Sequence, residues 1–450
     1  MFSKVPERQM HILRLLLTSS WLILIFSLFY DPILPRLTEP NNRLSPLRIH
    51  PEICIQVQGV CLEETPYALG VPIFWGAVVP LVIFVLLIFG HQLWRRTCPL
   101  SFMSQLPRAL GWQRQQRIEQ KTGKTRYEII KVKKDSWLGQ NYLYLQFGFL
   151  YLGVCSRILF INSNRLALGS FLIFTILSAI TIGYLYGGKT WCQYFCPMAP
   201  VEKIFSEPRA LLTQDFRQGS RPVITQSMCR VVTKEGKEQS ACVGCQLSCI
   251  DIDSERSYWD KILRPDHKFL YYSYIGLVIG YFFYYYLYSG NWNYYFSGAW
   301  AHEKNQLATL LSPGFYLFGN PIAIPKLIAV PLTLGFFSAL SYFLGIKLET
   351  SFKDYLLIKN PSLDPEQIQH WIFTICTFIA FNFFFVFAGR SFIGLLPLPV
   401  QYLYDILLVI VSTLWLNRTW GRSPDRFPRE SLANCLRRKL SQLKFNFRGV

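Results

Sequence analysis

The chain has 450 residues, of which 51% are hydrophobic, and its mean hydropathy is +0.23. A single soluble domain of this length would not carry so much apolar sequence, so the composition indicates a membrane protein. The formal net charge of +19 would suit nucleic acid, but no nucleic-acid recognition motif accompanies it, and no nucleic-acid partner is expected.

Apolar runs of about 20 residues, the length that crosses a bilayer, recur along the chain. The first run is read as an uncleaved span and not as a signal peptide, because it lacks a small-residue cleavage site and Asp31-Pro32 follows it. The fold class predicted from these runs is an all-α polytopic membrane protein with about eight transmembrane helices. The predicted spans are residues 12–30, 70–93, 142–161, 166–186, 269–289, 322–345, 371–389 and 394–417.

The placement of basic residues predicts the orientation. With the N-terminus inside, 37 of the 46 Lys and Arg residues fall on the inner side and six on the outer side. The positive-inside rule then places both termini in the cytoplasm. This charge has two interpretations: it signals topology alone, or the basic cytoplasmic loops also dock an acidic partner.

The third and fourth spans are joined by residues 162–165 only, which predicts a tight antiparallel hairpin with both open ends on the cytoplasmic side. The hairpin leaves the membrane through Gly187-Gly188, a glycine helix stop. This places Cys192 and Cys196 at the membrane surface. In the sixth span, Pro325 and Pro331 are expected to kink the helix.

The twelve cysteines divide between the two sides of this topology. Cys54 and Cys61 lie in the outer loop, where oxidation is permitted, and are either a structural disulfide or free. Cys155 and Cys376 lie within spans and are expected to be small core residues. The reducing cytoplasmic side favours metal or cluster ligation by the cysteines there. These are Cys98, Cys192, Cys196, Cys229, Cys242, Cys245 and Cys249, with Cys435 in the tail.

Cys242, Cys245 and Cys249 form a Cys-x2-Cys-x3-Cys run. Closely spaced cysteines are typical of cubane iron–sulfur sites, which need four thiolates at one point. The run supplies three, and Cys229 is the nearest candidate for the fourth. The same four cysteines could instead hold zinc.

A second group consists of Cys192 and Cys196, followed by Pro197, together with Cys98, followed by Pro99. The topology brings all three to one membrane face. A fourth ligand would come from His91, from Cys435 or from one of the other four cysteines on that face. One or two [4Fe–4S] clusters are therefore predicted.

The segment Trp191-Cys192-Gln193-Tyr194-Phe195-Cys196-Pro197-Met198-Ala199-Pro200 resembles the Cys-x3-Cys-Pro signature of membrane-bound ferredoxin-like proteins of the NapH/NosR type. It is also similar to uncharacterised cyanobacterial multi-pass iron–sulfur proteins. The resemblance covers residues 70–255 and implies cytoplasmic [4Fe–4S] ligands and electron transfer between quinone or soluble carriers and a partner system. The chain departs from the pattern at Trp94, which stands where the first cysteine of the first motif would be.

Histidines at the cytoplasmic span ends, His91, His267 and His370, are interfacial residues or ligands for haem or another group, with His91 favoured by its nearness to Cys98. Asp405, inside the last span, either handles protons or quinone or is a structural acid paired across the bundle.

Other charged residues have simpler expected roles. Arg157 and Lys326 are expected to extend from their span ends towards the interface. Asp251 and Asp253 are expected to be solvated.

These observations divide the chain into four regions: 1–186 with the first four spans and the basic cytoplasmic loop 94–141, 187–268 as a small irregular iron–sulfur loop domain, 269–417 with the last four spans, and 418–450 as a basic tail. The predicted function is electron relay at the cytoplasmic membrane face, as a carrier subunit more than a stand-alone enzyme. A cluster-based redox sensor or assembly factor, and a transporter with a structural metal site, are the alternatives. Expected partners are membrane lipid and either an acidic soluble carrier (ferredoxin or flavodoxin) or a partner oxidoreductase, at the plasma or thylakoid membrane.

Overall fold

The computed structural model describes residues 5–50, 52–119, 125–213, 230–232, 238–240, 245–246, 249–251, 254–304 and 306–424. Three cysteines named above, Cys229, Cys242 and Cys435, lie outside the described residues, and so does Asp253. The predictions that concern them are therefore not addressed by the structure.

The described chain is predominantly helical. Three short segments have the wider π-helical turn, at Ile73–Val78, Arg157–Ile161 and Trp191–Phe195. The α-helices are α1 (Glu7–Phe29), α2 (Gly70–Pro72), α3 (Val79–Thr97), α4 (Pro99–Met103), α5 (Leu106–Ala109), α6 (Trp137–Ser156), α7 (Arg165–Tyr186), α8 (Ala199–Ser206), α9 (Ser254–Trp259), α10 (Pro265–Ser289), α11 (Asn293–Phe296), α12 (Lys326–Lys359), α13 (Pro365–Phe387), α14 (Arg390–Ile393) and α15 (Leu398–Trp420).

Strands occur only as two-stranded antiparallel hairpins among the described residues. The pairs are β1 (Gln56–Val57) with β2 (Val60–Cys61), β3 (Gln115–Glu119) with β4 (Thr125–Ile129), β5 (Arg230–Val232) with β6 (Glu238–Ser240), and β7 (Pro313–Leu317) with β8 (Asn320–Pro325). Cys54 and Cys61, which the sequence named as a pair, are joined by a disulfide beside the first hairpin.

Seven of the described helical segments are long and apolar enough to cross a membrane, which agrees with the predicted polytopic membrane fold. They correspond to seven of the eight predicted spans. The remaining predicted span, residues 269–289, falls on α10, a 25-residue helix that contains eight tyrosines. These polar hydroxyls lower its hydropathy, and most of its residues are buried against neighbouring helices.

The sixth predicted span, residues 322–345, needs correction at both ends. Residues 320–325 form strand β8, so Pro325 precedes α12 and only Pro331 lies within it. The helix then continues to Lys359, through part of the predicted loop 346–370. Its 34 residues extend about 51 Å at 1.5 Å per residue, well beyond a hydrocarbon core of about 30 Å.

Only residues 162–164 separate the helical segment that ends at Ile161 from α7, and the end of α7 positions the cysteines that follow it. Asn164 begins α7, accepting a hydrogen bond at Oδ1 from the Ala167 backbone N–H (3.0 Å). The helix ends at Gly187, whose φ of +63° is a conformation that side chains with a Cβ rarely adopt. The chain then enters the π-helical turn Trp191–Phe195, referred to below as the cysteine turn.

Helices α10 and α12 pack closely because Gly276 has no side chain. A Cβ at this position would overlap the backbone carbonyl of Phe337 on α12. We expect Gly276→Ala to destabilise the protein by about 1–3 kcal/mol, since the two helices must separate. The measurement is the midpoint of thermal unfolding in detergent, followed by near-UV circular dichroism.

Gly148→Ala is the matched control for this prediction. A Cβ at Gly148 meets no atom within 4 Å, so this variant should unfold at the wild-type temperature or slightly above it. Equal midpoints for the two variants would contradict the close approach of α10 and α12.

Candidate metal centre

Three of the predicted ligands, Cys98, Cys192 and Cys196, line one cavity of about 120 Å³. Cys98 ends α3, and its backbone N–H donates to the Trp94 carbonyl (2.8 Å). Cys192 lies within the cysteine turn, and Cys196 closes it with extended backbone (φ −61°, ψ 122°). A residue that precedes proline avoids the helical region, so Pro197 explains why the turn stops there.

The surroundings of these thiols are largely apolar. Burial raises the pKa of the Cys192 thiol, and Arg95 and Lys189 lower it again without reversing the shift. Burial also raises the pKa of Cys196 well above its ordinary value, and the neighbouring Cys192 and Cys98 raise it further. The three thiols thus influence one another electrostatically, and as free thiols Cys192 and Cys196 stay protonated at neutral pH.

Two cysteines of the second predicted group, Cys245 and Cys249, pack against the same cysteine turn. The Tyr194 hydroxyl donates to the Cys245 carbonyl (2.9 Å), and Gln193 Nε2 lies 3.7 Å from Cys249 Sγ. Burial raises the pKa of Cys249, and Asp251 and Cys245 raise it further. The residues between Cys192 and Cys196 therefore connect the two groups.

Arg95 lies between the two cysteine groups and is only 2% exposed. Its Nε donates to Glu202 Oε1 (2.5 Å) and its Nη1 to Asp251 Oδ1 (3.1 Å). Lys189, fully buried, has its Nζ 3.8 Å from Asp251 Oδ2. Asp251 is 1% exposed, so its predicted solvation is wrong; a buried carboxylate needs partners, and these two cations supply them.

His91 is buried and belongs to the same network, on the other side of Glu202. Its Nδ1 lies 2.8 Å from Glu202 Oε1, and its Nε2 lies 3.0 Å from Ser206 Oγ. Burial raises the pKa of Glu202, but Arg95 and His91 lower it to about 2, so this carboxyl is ionised. His91 does not line the cysteine cavity, and its ring nitrogens face protein atoms. The structure makes it a partner of Glu202 and does not place it among the thiols.

Asp405 lies elsewhere, on α15, and is not part of the cysteine cavity. The guanidinium of Arg390 binds it through two hydrogen bonds, Nη2 to Oδ1 (2.6 Å) and Nη1 to Oδ2 (3.3 Å). Arg390 is on α14, 15 positions earlier. Asp405 is therefore paired, but with a cation of the preceding short helix and not with one across the bundle.

The remaining histidines of the predicted set are buried within the protein. His370 is fully buried, with Nδ1 3.0 Å from the Tyr258 hydroxyl and Nε2 3.0 Å from the Thr419 carbonyl. His267 is also fully buried. The Tyr258 and Trp259 side chains pack against the His370 ring, with ring centres 5.8 and 5.0 Å away.

Sequence reasoning missed Arg95, Lys189 and Glu202. Arg95 and Lys189 precede a cysteine by three residues, which is the signal that could have identified them. Both were interpreted as topology signals, because basic residues at helix ends usually are.

The described residues contain no group of three or more His, Cys, Asp or Glu close enough to bind a single metal ion. Zinc bound by thiolates at about 2.3 Å would require such a compact set. A cubane cluster is a larger group and keeps its ligand thiolates farther apart. Cys98, Cys192 and Cys196 line a cavity of about 120 Å³, so together they could supply three ligands to one metal group.

The Arg95→Gln substitution should lower stability by about 3–5 kcal/mol, because it leaves Glu202 and Asp251 buried with their strongest partner removed. The measurement is the thermal unfolding midpoint in detergent. Arg165→Gln is the control: Arg165 is exposed and begins α7, so its loss should change stability by less than about 0.5 kcal/mol. If both substitutions have equal effects, Arg95 does not hold the site together.

Comparison with known proteins identifies no relative. No protein-family model, no curated protein and no solved structure matches this chain. The fold of the cysteine turn, the arrangement of the thiols and the buried charges around them are therefore the basis for assigning a function.

Proposed function

We propose that this protein is a membrane-bound iron–sulfur electron-transfer protein of the NapH/NosR type. One observation supports this most: Cys98, Cys192 and Cys196 surround one cavity at the ends of membrane-type helices. Cys245 and Cys249 approach the same turn from a different part of the chain. Five thiols gathered at the end of an apolar bundle suit redox chemistry at a bilayer surface.

The residues present suit two [4Fe–4S] clusters. Cys98, Cys192 and Cys196 would hold one, with a fourth ligand from the same face. Cys245 and Cys249 would hold the other with Cys229 and Cys242. When bound, such a cluster takes up and releases one electron at a time.

The buried charges have a role in this proposal. Cysteine must be deprotonated to bind a cluster, and burial opposes that. Arg95 and Lys189 lower the pKa of Cys192, and Arg95 lowers that of Cys249. These cations offset the negative charge of the thiolates. The side-chain amide of Gln193 donates a hydrogen bond to Cys249 Sγ. Charge and hydrogen bonds at the sulfurs are two of the factors that set a cluster's potential.

The alternatives receive less support from the described residues. The transporter alternative is motivated by Asp405 and by the proline-containing sixth span; Asp405 is paired with Arg390, and Pro331 lies within α12. The sensor or assembly-factor alternative rested on an incomplete ligand set, and five thiols converge within the described part of the chain.

We also propose that α10 is an eighth span, that both termini are cytoplasmic and that the cysteines face the cytoplasm. The Lys and Arg distribution supports this, since 37 of 46 fall on that side. The basic loops on that face would dock an acidic carrier, such as a ferredoxin or flavodoxin, or a partner oxidoreductase.

Iron and acid-labile sulfide analysis of anaerobically purified protein tests the cluster assignment. We expect about four iron atoms for each cluster, with matching sulfide. Cys196→Ala should remove the iron and sulfide of one cluster and Cys245→Ala those of the other, because each variant loses a ligand of a different cluster. EPR of the reduced samples should show the corresponding loss of signal.

Cys155→Ala is the control for these variants. Cys155 is buried on α6 and does not line the cysteine cavity, so its loss should leave iron and sulfide unchanged. Zinc without iron or sulfide in the wild type would refute the proposal.

Labelling with a membrane-impermeant maleimide tests the orientation. Phe318→Cys, at the fully exposed tip of the β7–β8 hairpin, should react in intact cells. Leu263→Cys, 41% exposed just before α10, should react only after permeabilisation. Opposite accessibility would establish that the chain crosses the membrane between them, and equal accessibility would contradict the eighth span.

A further inference from the structure

A second cavity, of about 220 Å³, lies inside the helix bundle, and we call it the bundle cavity. Side chains from α1, α3, α6, α7, α10 and α13 line it, and nearly all of them are apolar. One end reaches Cys196, Pro197 and Met198. The other end reaches Arg157, so the cavity runs from the cysteine turn towards the opposite end of α6.

Arg157 is the cation at the far end of this cavity. Its guanidinium carbon lies 4.1 Å from the centre of the Trp75 ring, 4.7 Å from Tyr281 and 5.6 Å from Trp300. The side chain therefore points into the bundle, and its predicted extension to the interface is wrong. Aromatic faces stabilise a cation, which explains how it is kept there.

No carboxylate of the described residues pairs with Arg157. Its one side-chain hydrogen bond runs from Nε to Asn162 Oδ1, at 3.4 Å. Two other buried cations, Arg95 and Lys189, differ in having acidic partners. A charged residue within a membrane span is costly and marks a functional site by default.

The wall of the bundle cavity at Gly153 shows that the protein leaves this space open. A Cβ at Gly153 would meet no atom within 4 Å, although the glycine lies in the middle of the α6 face that lines the cavity. Apolar space of this size at membrane depth suits a hydrocarbon chain. Arg157 follows the last residue of α6 and lies near the end of the membrane-type segment Trp137–Ile161.

We infer that the bundle cavity binds one anionic amphiphile, with its hydrocarbon tail in the cavity and its oxyanion at Arg157. The shared chemistry is a carboxylate or phosphate oxygen on an apolar chain, which a free fatty acid or an anionic phospholipid would supply. The tail would reach Cys196 and keep water from that side of the cysteine turn. This inference is independent of which metal group, if any, the cysteines hold.

The test uses the full-length protein, delipidated in detergent and titrated separately with oleate, phosphatidylglycerol and phosphatidylcholine, with bound molecules counted by native mass spectrometry. We expect saturable binding of about one anionic amphiphile. Binding of oleate alone identifies a fatty acid as the occupant, and binding of phosphatidylglycerol identifies a phospholipid. Equal affinity for phosphatidylcholine, or binding of no amphiphile, overturns the inference.

Two pairs of variants locate the site. Gly153→Leu should abolish binding by filling the cavity, whereas Gly148→Leu, on the same helix with open space around its Cβ but outside the cavity lining, should bind as wild type. Arg157→Gln should weaken binding by about tenfold or more, the effect of losing one charged hydrogen bond. Arg157→Lys, which keeps the charge, should restore most of the affinity.

Thermal unfolding of each variant shows whether it is folded before binding is interpreted. If Gly153→Leu fails to fold, the Arg157 pair still decides the outcome. Wild-type affinity in a folded Gly153→Leu or Arg157→Gln protein would place the amphiphile elsewhere and overturn the inference.

Discussion

The buried ion pairs of Arg95 hold together three segments that are far apart in sequence. Arg95 lies on α3, Glu202 on α8, and Asp251 follows the cysteine run. If one of the three side chains moved into water, at least one buried charge would lose its partner, which is strongly unfavourable in free energy. Cys98 and Cys249 each lie within three residues of one of these charges, and Cys196 precedes Glu202 by six. The spacing of the thiols thus depends on electrostatics as much as on helix packing.

The sequence predicts most of the helical framework because a helix that crosses the hydrocarbon core needs an apolar run of about 20 residues. Apolar runs of the right length identify seven of the helices, and the short connection at 162–165 specifies the hairpin of α6 and α7. The failure at α12 has a local cause. Residues 322–325 are apolar enough to be assigned to a span, but they belong to strand β8, which pairs with Pro313–Leu317. Hydropathy alone cannot distinguish a short apolar strand from the first turn of a membrane helix.

The candidate site could be predicted in part for a similar reason. Once the topology is known, Cys98, Cys192 and Cys196 must leave the membrane on one face, and the structure brings all three to one cavity. The charges around them could not be predicted. Arg95 and Lys189 look like ordinary basic flanks, and Glu202 lies in a short helix with no motif. Only the packed structure reveals that they are buried and face one another.

The Cys54–Cys61 disulfide lies near one end of α10, and the free thiols of the cysteine turn lie towards the other end. The hairpin beside the Cys54–Cys61 disulfide joins its last turn, where the Gln58 backbone N–H donates to the Ser289 carbonyl (3.1 Å). The first turn, at His267, is near Lys203 of α8, which follows the cysteine turn. The 25 residues between these ends extend about 37 Å, more than the thickness of a hydrocarbon core. If α10 is the eighth span proposed above, the disulfide lies on the side where oxidation is permitted and the free thiols lie on the reducing side, so maturation of this chain would need both environments.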